Sequence, residues 1–413
     1  MKNYSTDLLI IGAGAAGMAA ALKAESLGIK VILVERNEEM GGILNQCIHN
    51  GFGLHYFKEE LTGPEYANKF ENLLNGKNIT FLSNRFLHSI NEENKEIIFT
   101  SSEGIEKISC KALVYTAGAR ERPFGSLLIP GNRVSGIYTA GMAQRLTNIE
   151  NRLPGKKALI LGSGDIGLIM ARRLTLEGMK VEAVLERMPY PGGLARNITQ
   201  CLKDFEIPLL LSTTVVEVRG QGRLNEVIVA QVDGNFNEIK STRRSYSVDS
   251  LILSVGLVPS TTPVMHLVEI DKRTRGVVVD SIMRTNKEWV FAAGNCVVIY
   301  DLVDYVSKEG EIAGENAAKY ILGETFGKKI KINPGNNIGI ISPSFYVENT
   351  ELELYVRVIR PCENKKIIVK SGQDIIHQSR HISMIPSEME HIKIKKDKLL
   401  NVKELTVEVI ENE

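Results

Sequence analysis

Apolar and polar positions follow two regimes along the chain. The run DLLII, residues 7–11, has strand length and is followed by a glycine-rich turn and the small-residue stretch MAAALKAESLG, which predicts a helix. A second apolar run, KVILVE, predicts the next strand and ends at Glu35, eighteen residues past Gly17. The succession returns in KKALILGSGDIGLIMARRLTLEGMKVEAVLER, which ends its second strand with Glu186, nineteen residues past Gly167. Strands alternating with helices predict parallel sheets of an α/β fold. From Pro334 onward the period changes to two: in ELELYVRVIRP, Leu352, Leu354, Val356 and Val358 alternate with polar neighbours. KKIIVKSG, HIKIKK and LTVEVI extend that pattern, predicting a small C-terminal all-β module over residues 335–413.

Each glycine turn has a mechanical reading. Gly12 permits the tight turn, Gly14 lets backbone N–H groups approach a pyrophosphate, and Gly17 lets the helix pack on its strand. Ala15 and Ala16 open that helix, whose N-terminus faces the phosphates with its partial positive charge. Glu35 is placed to accept hydrogen bonds from an adenosine ribose, with Arg36 beside it. Gly162, Gly164 and Gly167 repeat the turn, with Ile166 inside it and Glu186 and Arg187 at the following strand end. The complete signature, twice over, predicts two Rossmann-like dinucleotide-binding domains. One site is expected to hold a tightly bound flavin dinucleotide and the other an exchangeable nicotinamide dinucleotide. Gly41-Gly42, downstream of Glu35, can bring backbone close to the flavin's sugar and phosphates. Glu186 should repel a 2′-phosphate, which favours NADH, although Arg187 could soften that preference.

Composition narrows the function without naming it. A chain of 413 residues suggests two or three domains. Fifty basic residues against 49 acidic ones leave a charge of +1, so there is no electrostatic case for nucleic acid or an anionic membrane. No apolar run approaches the roughly 20 residues of a membrane span. The five cysteines (47, 110, 201, 296 and 362) form no CxxC and no metal-ligand spacing. Together with an N-terminus that passes straight into a structured motif, this predicts a cytoplasmic protein with no metal. His377 and His381 stand at helical spacing but in a strand-like context, which argues for surface residues rather than ligands.

The segment EWVFAAGNC and the predicted helix beginning at about Leu302 and Val303 resemble the distal flavin motif of two-dinucleotide-binding-domain flavoproteins. LVYTAGARERP, containing Ala117 and Gly118, and LILSVGLVPS, containing Gly256, look like that family's crossover strands. The resemblance implies a flavin domain over residues 1–123 and 257–326, with the NAD(P) domain, 124–256, inserted in it. It assigns Gly294, Asn295, Leu302 and Val303 to FAD. The family's usual Asp is Asn295 here, which keeps hydrogen-bonding capacity but no charge. Three further blocks, among them GGILNQCIHNGFG and MPYPGGLARNITQ, resemble the alpha-type subunits of sarcosine and opine oxidases. They are also similar to oxidoreductases that accompany a glycerol-3-phosphate-dehydrogenase-like flavoprotein. This implies a FAD-dependent NAD(P)H oxidoreductase working with a partner oxidoreductase subunit.

Disulfide-reducing relatives keep a Cys-x4-Cys pair after the Gly-Gly, where this chain has Leu44 and His49. Electrons must then leave a reduced flavin without an internal disulfide. Cys47 is a candidate redox thiol, weighed against a small space-filling residue, and His49 a candidate proton donor, weighed against a turn residue. The alternative class is a non-catalytic flavin- and nucleotide-binding protein that assembles a complex or senses redox state.

Overall fold

In the computed structural model, which describes residues 2–412, the chain divides into two compact units. Arg120–Leu257 forms one, and the segments up to Ala119 and from Val258 onward form the other. The inserted unit thus begins at Arg120 rather than at residue 124.

In the first unit the strand Lys2–Ile11 lies between Val31–Val34 and Gly104–Tyr115, all parallel. Ile79–Leu82 continues the sheet beside Val31–Val34. Gly104–Tyr115 pairs with Glu96–Ser101 antiparallel along its first half and with Val290–Ala292 parallel along its second. Helix α1, Ala15–Glu25, follows the first strand and is buried along nearly its whole length, as its alanine-rich sequence requires. Helix α2, Gly63–Leu74, starts with a reciprocal capping box between Thr62 and Glu65 and a proline in its first turn, which satisfies N–H groups that would otherwise lack partners.

The second unit is built on a parallel sheet in the order Ile137–Thr139, Ser250–Leu253, Lys157–Leu161, Lys180–Leu185, Leu209–Leu210. Its helices are α3, Ala140–Asn148, α4, Asp165–Leu176, and α5, Ala195–Cys201. A three-stranded antiparallel sheet, Thr213–Gln221, Arg223–Gln231 and Arg244–Tyr246, completes it.

Back in the first unit, α6 runs over Val303–Ile321. It meets α1 through glycines: a Cβ on Gly310 would lie 2.2 Å from the Ala16 carbonyl oxygen, and one on Gly314 2.3 Å from that of Ala20. The C-terminal strands form a five-stranded and a three-stranded sheet. Between them Ile330, Leu354, Val356, Ile367, Ile392 and Val407 form a separate core. Each such side chain contributes about 1.5–3 kcal/mol on burial. The module starts one strand earlier than residue 335. Lys329–Pro334 already alternates, burying Ile330 and Ile332, and it pairs with Leu405–Glu411. Its closing proline masks it as a turn in the sequence.

Candidate dinucleotide sites

The two glycine turns are built alike. Gly12 (φ +104°) and Gly162 (φ +102°) adopt backbone conformations that L side chains rarely reach. Beneath each lies the carbonyl of a strand-end residue: a Cβ on Gly12 would meet the Thr116 oxygen at 2.5 Å, and one on Gly162 the Ser254 oxygen at 2.0 Å. Gly17 and Gly167 are crowded as well, their Cβ positions lying 1.8 Å and 2.4 Å from the Gly12 and Gly162 oxygens. At Gly14, by contrast, a Cβ would meet nothing within 4 Å, and at Gly164 only the Ser254 hydroxyl at 3.9 Å. The outer glycines of each turn are required by protein packing, whereas the middle one opens onto free space. That open cradle at a helix N-terminus fits a dinucleotide pyrophosphate.

The two carboxylates repeat as well. Glu35 is buried; its Oε2 accepts the Ala13 N–H at 2.9 Å and its Oε1 the Asn37 N–H at 2.9 Å. Glu186 accepts from the Ser163 N–H (3.0 Å), the Ser163 hydroxyl (2.6 Å) and the Met188 N–H (2.9 Å). Each fastens its glycine turn to the loop after the following strand. A Gly-Gly pair then folds back onto each turn. The Gly41 N–H donates to the Ala13 carbonyl at 2.8 Å, and a Cβ on Gly42 would lie 3.5 Å from the Gly14 Cα. The Gly192 N–H donates to the Ser163 hydroxyl at 2.8 Å. Gly192-Gly193 stands at the same offset from Glu186 as Gly41-Gly42 does from Glu35, a repeat whose meaning emerges only with the folded turns.

Arg36 and Arg187 are exposed. The Arg187 guanidinium lies 4.4 Å from the Phe236 ring centre, a cation–π contact that holds it. Ile166 is half-buried in the first turn of α4, while Ala15 and Ala16 are buried in that of α1. Ala117, Gly118 and Gly256 follow the strand ends. Gly118 (φ +63°) and Gly256 (φ +95°) both open onto free space. Thr116, which sequence reasoning missed, donates to the Ile11 and Gly12 carbonyls at 2.9 Å. Its only signal was the parallel between Thr-Ala-Gly and Ser-Val-Gly ahead of the two crossovers.

In the distal segment Gly294 (φ +77°) sits against Ala16 and Val306. The Asn295 Oδ1 accepts the Tyr300 N–H at 3.1 Å and closes the loop. Leu302 is the N-cap of α6 and Val303 its first residue.

Cys47 is buried; its N–H donates to the Leu44 carbonyl at 2.9 Å and its carbonyl accepts the Gly63 N–H at 2.8 Å. A Cβ on Gly63 would lie 2.9 Å from the Cys47 Cβ, so the thiol residue is wedged against the start of α2. His49 is half-buried, its ring 5.1 Å from that of Phe52. All five cysteines are free thiols. Burial pushes the Cys110 and Cys296 thiols up to about 12 and that of Cys201 upward, which leaves them poor nucleophiles. His381 pairs with Glu390 at 3.0 Å and with the Ser379 hydroxyl at 2.7 Å. Among the described residues no group of acidic, His or Cys side chains could hold a metal, and no helix is long and apolar enough to cross a membrane.

Two such glycine turns, one in each unit, fit a protein that uses two dinucleotides. Residues 6–310 match the pyridine nucleotide-disulphide oxidoreductase family, and the chain belongs to it. It is a FAD-dependent NAD(P)H oxidoreductase. It is 29% identical over 327 residues to a thioredoxin reductase of Listeria monocytogenes, covering 76% of this chain and 93% of the relative. It is 26% identical over 275 residues to an opine oxidase subunit of Agrobacterium tumefaciens, covering 62% of this chain and 53% of that one. The fold is that of T. acidophilum thioredoxin reductase, with a TM-score of 0.64 at 21% identity over 77% of this chain and 99% of the other.

Proposed function

We propose that this protein passes hydride between NADH and FAD and delivers the electrons to a partner oxidoreductase subunit or small acceptor, without an internal disulfide. The observation that carries this reading is the duplicated open cradle at Gly14 and Gly164, each fastened by its own carboxylate. Gly12, Gly14, Gly17, Glu35, Gly41, Gly42, Gly118, Gly294 and Asn295 would hold FAD, and Gly162, Gly164, Gly167, Glu186 and Gly256 the nicotinamide dinucleotide. Bound FAD supplies the two-electron chemistry that no side chain here provides. The protein's own task is to position the two rings and exclude water, since hydride transfer needs alignment rather than an added acid or base.

The acceptor of the Listeria relative does not carry over with the fold. The name of that enzyme implies thioredoxin, whereas this chain has no CxxC and has Leu44 and His49 where disulfide-reducing relatives keep cysteines. Similarity to one subunit of opine oxidase supports a partner. The fixed Glu186 carboxylate favours NADH by repelling a 2′-phosphate, and Arg187, held on Phe236, does little to offset it.

The test is to mix the FAD-loaded protein with one equivalent of NADH without oxygen and follow flavin absorption. Bleaching within seconds, with no reduction of thioredoxin or lipoamide, is expected. A bound nucleotide with an unchanged spectrum would favour the non-catalytic, assembly or redox-sensing reading.

A further inference from the structure

Behind the Gly294 loop lies a buried acid that cofactor binding alone does not explain. Glu309, on α6, is fully buried. Its Oε2 accepts the Gly294 N–H at 2.8 Å, and its Oε1 accepts the Tyr300 hydroxyl. Tyr300 is bound at both ends, because its own N–H donates to Asn295 at 3.1 Å. One carboxylate therefore grips both ends of the 294–300 loop.

Beside this pair two buried hydroxyls, Ser342 Oγ and Tyr355 Oη, make no hydrogen bond of ordinary length among the described residues. They are paired residues on adjacent strands, Ile338–Ser342 and Leu352–Val358. The Tyr355 ring stands edge-on to Tyr300 at 4.9 Å. Ser342 lies close enough to the Tyr300 hydroxyl to act on its proton affinity. A buried hydroxyl without a partner is destabilising, so the site has reason to use a second hydrogen-bonding arrangement.

We propose that Glu309, Tyr300 and Ser342 form a proton-linked clamp on the flavin loop, in which protonation of Glu309 favours FAD binding and FAD binding favours that protonation. The inference rests on the FAD assignment above. One proton enters from solvent onto the carboxylate. The new carboxyl O–H donates to the Tyr300 oxygen, the Tyr300 O–H turns to Ser342 Oγ, and the carboxyl's carbonyl oxygen keeps the Gly294 N–H. No hydrogen bond is lost and Ser342 gains one. Ionised Glu309 places a negative charge behind a loop expected to receive an anionic cofactor, and protonation removes that repulsion. By linkage the two binding events favour each other equally.

Burial moves the Glu309 carboxyl up to about 7, which places the change in the neutral range. The groups facing it are few. The C-terminal strands contribute Tyr355, Glu353 and His391; His391 Nε2 meets Glu353 Oε2 at 3.1 Å and stacks on Tyr355 at 4.9 Å. From α6 itself Lys308 pairs with Glu353 at 2.7 Å, and Asp304 is taken by the Tyr56 N–H at 2.8 Å. From the loop come Tyr300 and the Cys296 thiol, which donates to the Tyr115 carbonyl at 3.2 Å, and Tyr305 lies against Tyr300. Glu353 pushes Glu309 further toward the protonated form, and no cation among these groups contacts Glu309.

The experiment measures the FAD dissociation constant of apoprotein by flavin fluorescence from pH 5.5 to 8.5, with calorimetry in two buffers to count protons. Weakening by about threefold to tenfold through neutral pH, with fractional proton uptake on binding, is expected. Glu309→Gln, a stand-in for the protonated acid, should bind with wild-type low-pH affinity across the range and take up no proton. Ser342→Ala removes the second acceptor and should move the midpoint to lower pH; this keeps the test alive should the Gln variant fold poorly. A pH-independent wild-type constant, or a Gln variant that follows the wild-type curve, overturns the clamp while leaving FAD binding intact. Absence of FAD binding at every pH overturns both.

Discussion

Gly14 and Gly17 stand three positions apart in one turn, and a methyl group would do opposite things at each. At Gly17 it would be forced onto the Gly12 carbonyl, whereas at Gly14 it would enter empty space. Gly14 also has an ordinary extended backbone, φ −78° and ψ −170°, so nothing in the chain itself requires glycine there, as the proposed pyrophosphate site expects. Gly14→Val should therefore fold and melt like the wild-type apoprotein yet be purified colourless, which flavin absorption and circular dichroism would check together. Cys47 makes a different case. No residue need act as a covalent relay, so Cys47→Ser should keep flavin reduction by NADH within about tenfold, or about 1.4 kcal/mol of barrier. Loss of reoxidation with reduction intact would place the thiol on the electron path. For Glu186, kcat/KM should favour NADH, and Glu186→Ser should shift the ratio toward NADPH by roughly tenfold or more. A wild-type preference for NADPH would contradict that role.

At the scale of elements, the packing of α6 on α1 depends on Gly310 and Gly314. Gly310→Ala should cost about 1–3 kcal/mol from overpacking, read as a lower denaturant midpoint, despite alanine's better helix propensity. These elements were largely legible in the sequence. The glycine turns, their acids and the start of α6 are local signals, carried by spacing within one strand–turn–helix unit. Lys329–Pro334 was less legible, because its proline and lysines imitate a linker and its partner strand lies at the far end of the module. Thr116 and Ser254 left only the faint signal of two parallel tripeptides, and Glu309 and Tyr300 left none. A buried acid on a helix reads as a solvated one until the strands that cover it are in place, and Thr116 supports a turn about a hundred residues away.

For the whole molecule, one buried acid and one partly buried acid set opposite pH dependences. Glu309 is raised to about 7 from an ordinary 4.5, so its contribution to stability is fully present below 4.5 and is lost as pH rises through 7. The effect is on the order of 3 kcal/mol. Glu353 is held down to about 2 by hydrogen bonds from His391 and Lys308, against its burial. Its contribution is present above 4.5 and lost as pH falls through 2. These two groups together should therefore give the apoprotein its highest melting midpoint near pH 4.5, where the two windows meet, with a fall toward pH 8. Glu309→Gln should raise the midpoint at pH 8 and leave it nearly unchanged at pH 5. An equal gain at both pH values would mean that Glu309 does not titrate between them.

Anaerobic stopped-flow mixing with NADH deuterated at C4 tests the hydride route most directly. Flavin absorption should fall with a primary isotope effect for one C4 deuterium and not for the other. Cys47→Ser should show the same effect, while Gly164→Val should show no reduction. Nucleotide binding without bleaching, or bleaching that vanishes with the Cys47 thiol, would contradict a direct passage of hydride between two dinucleotides.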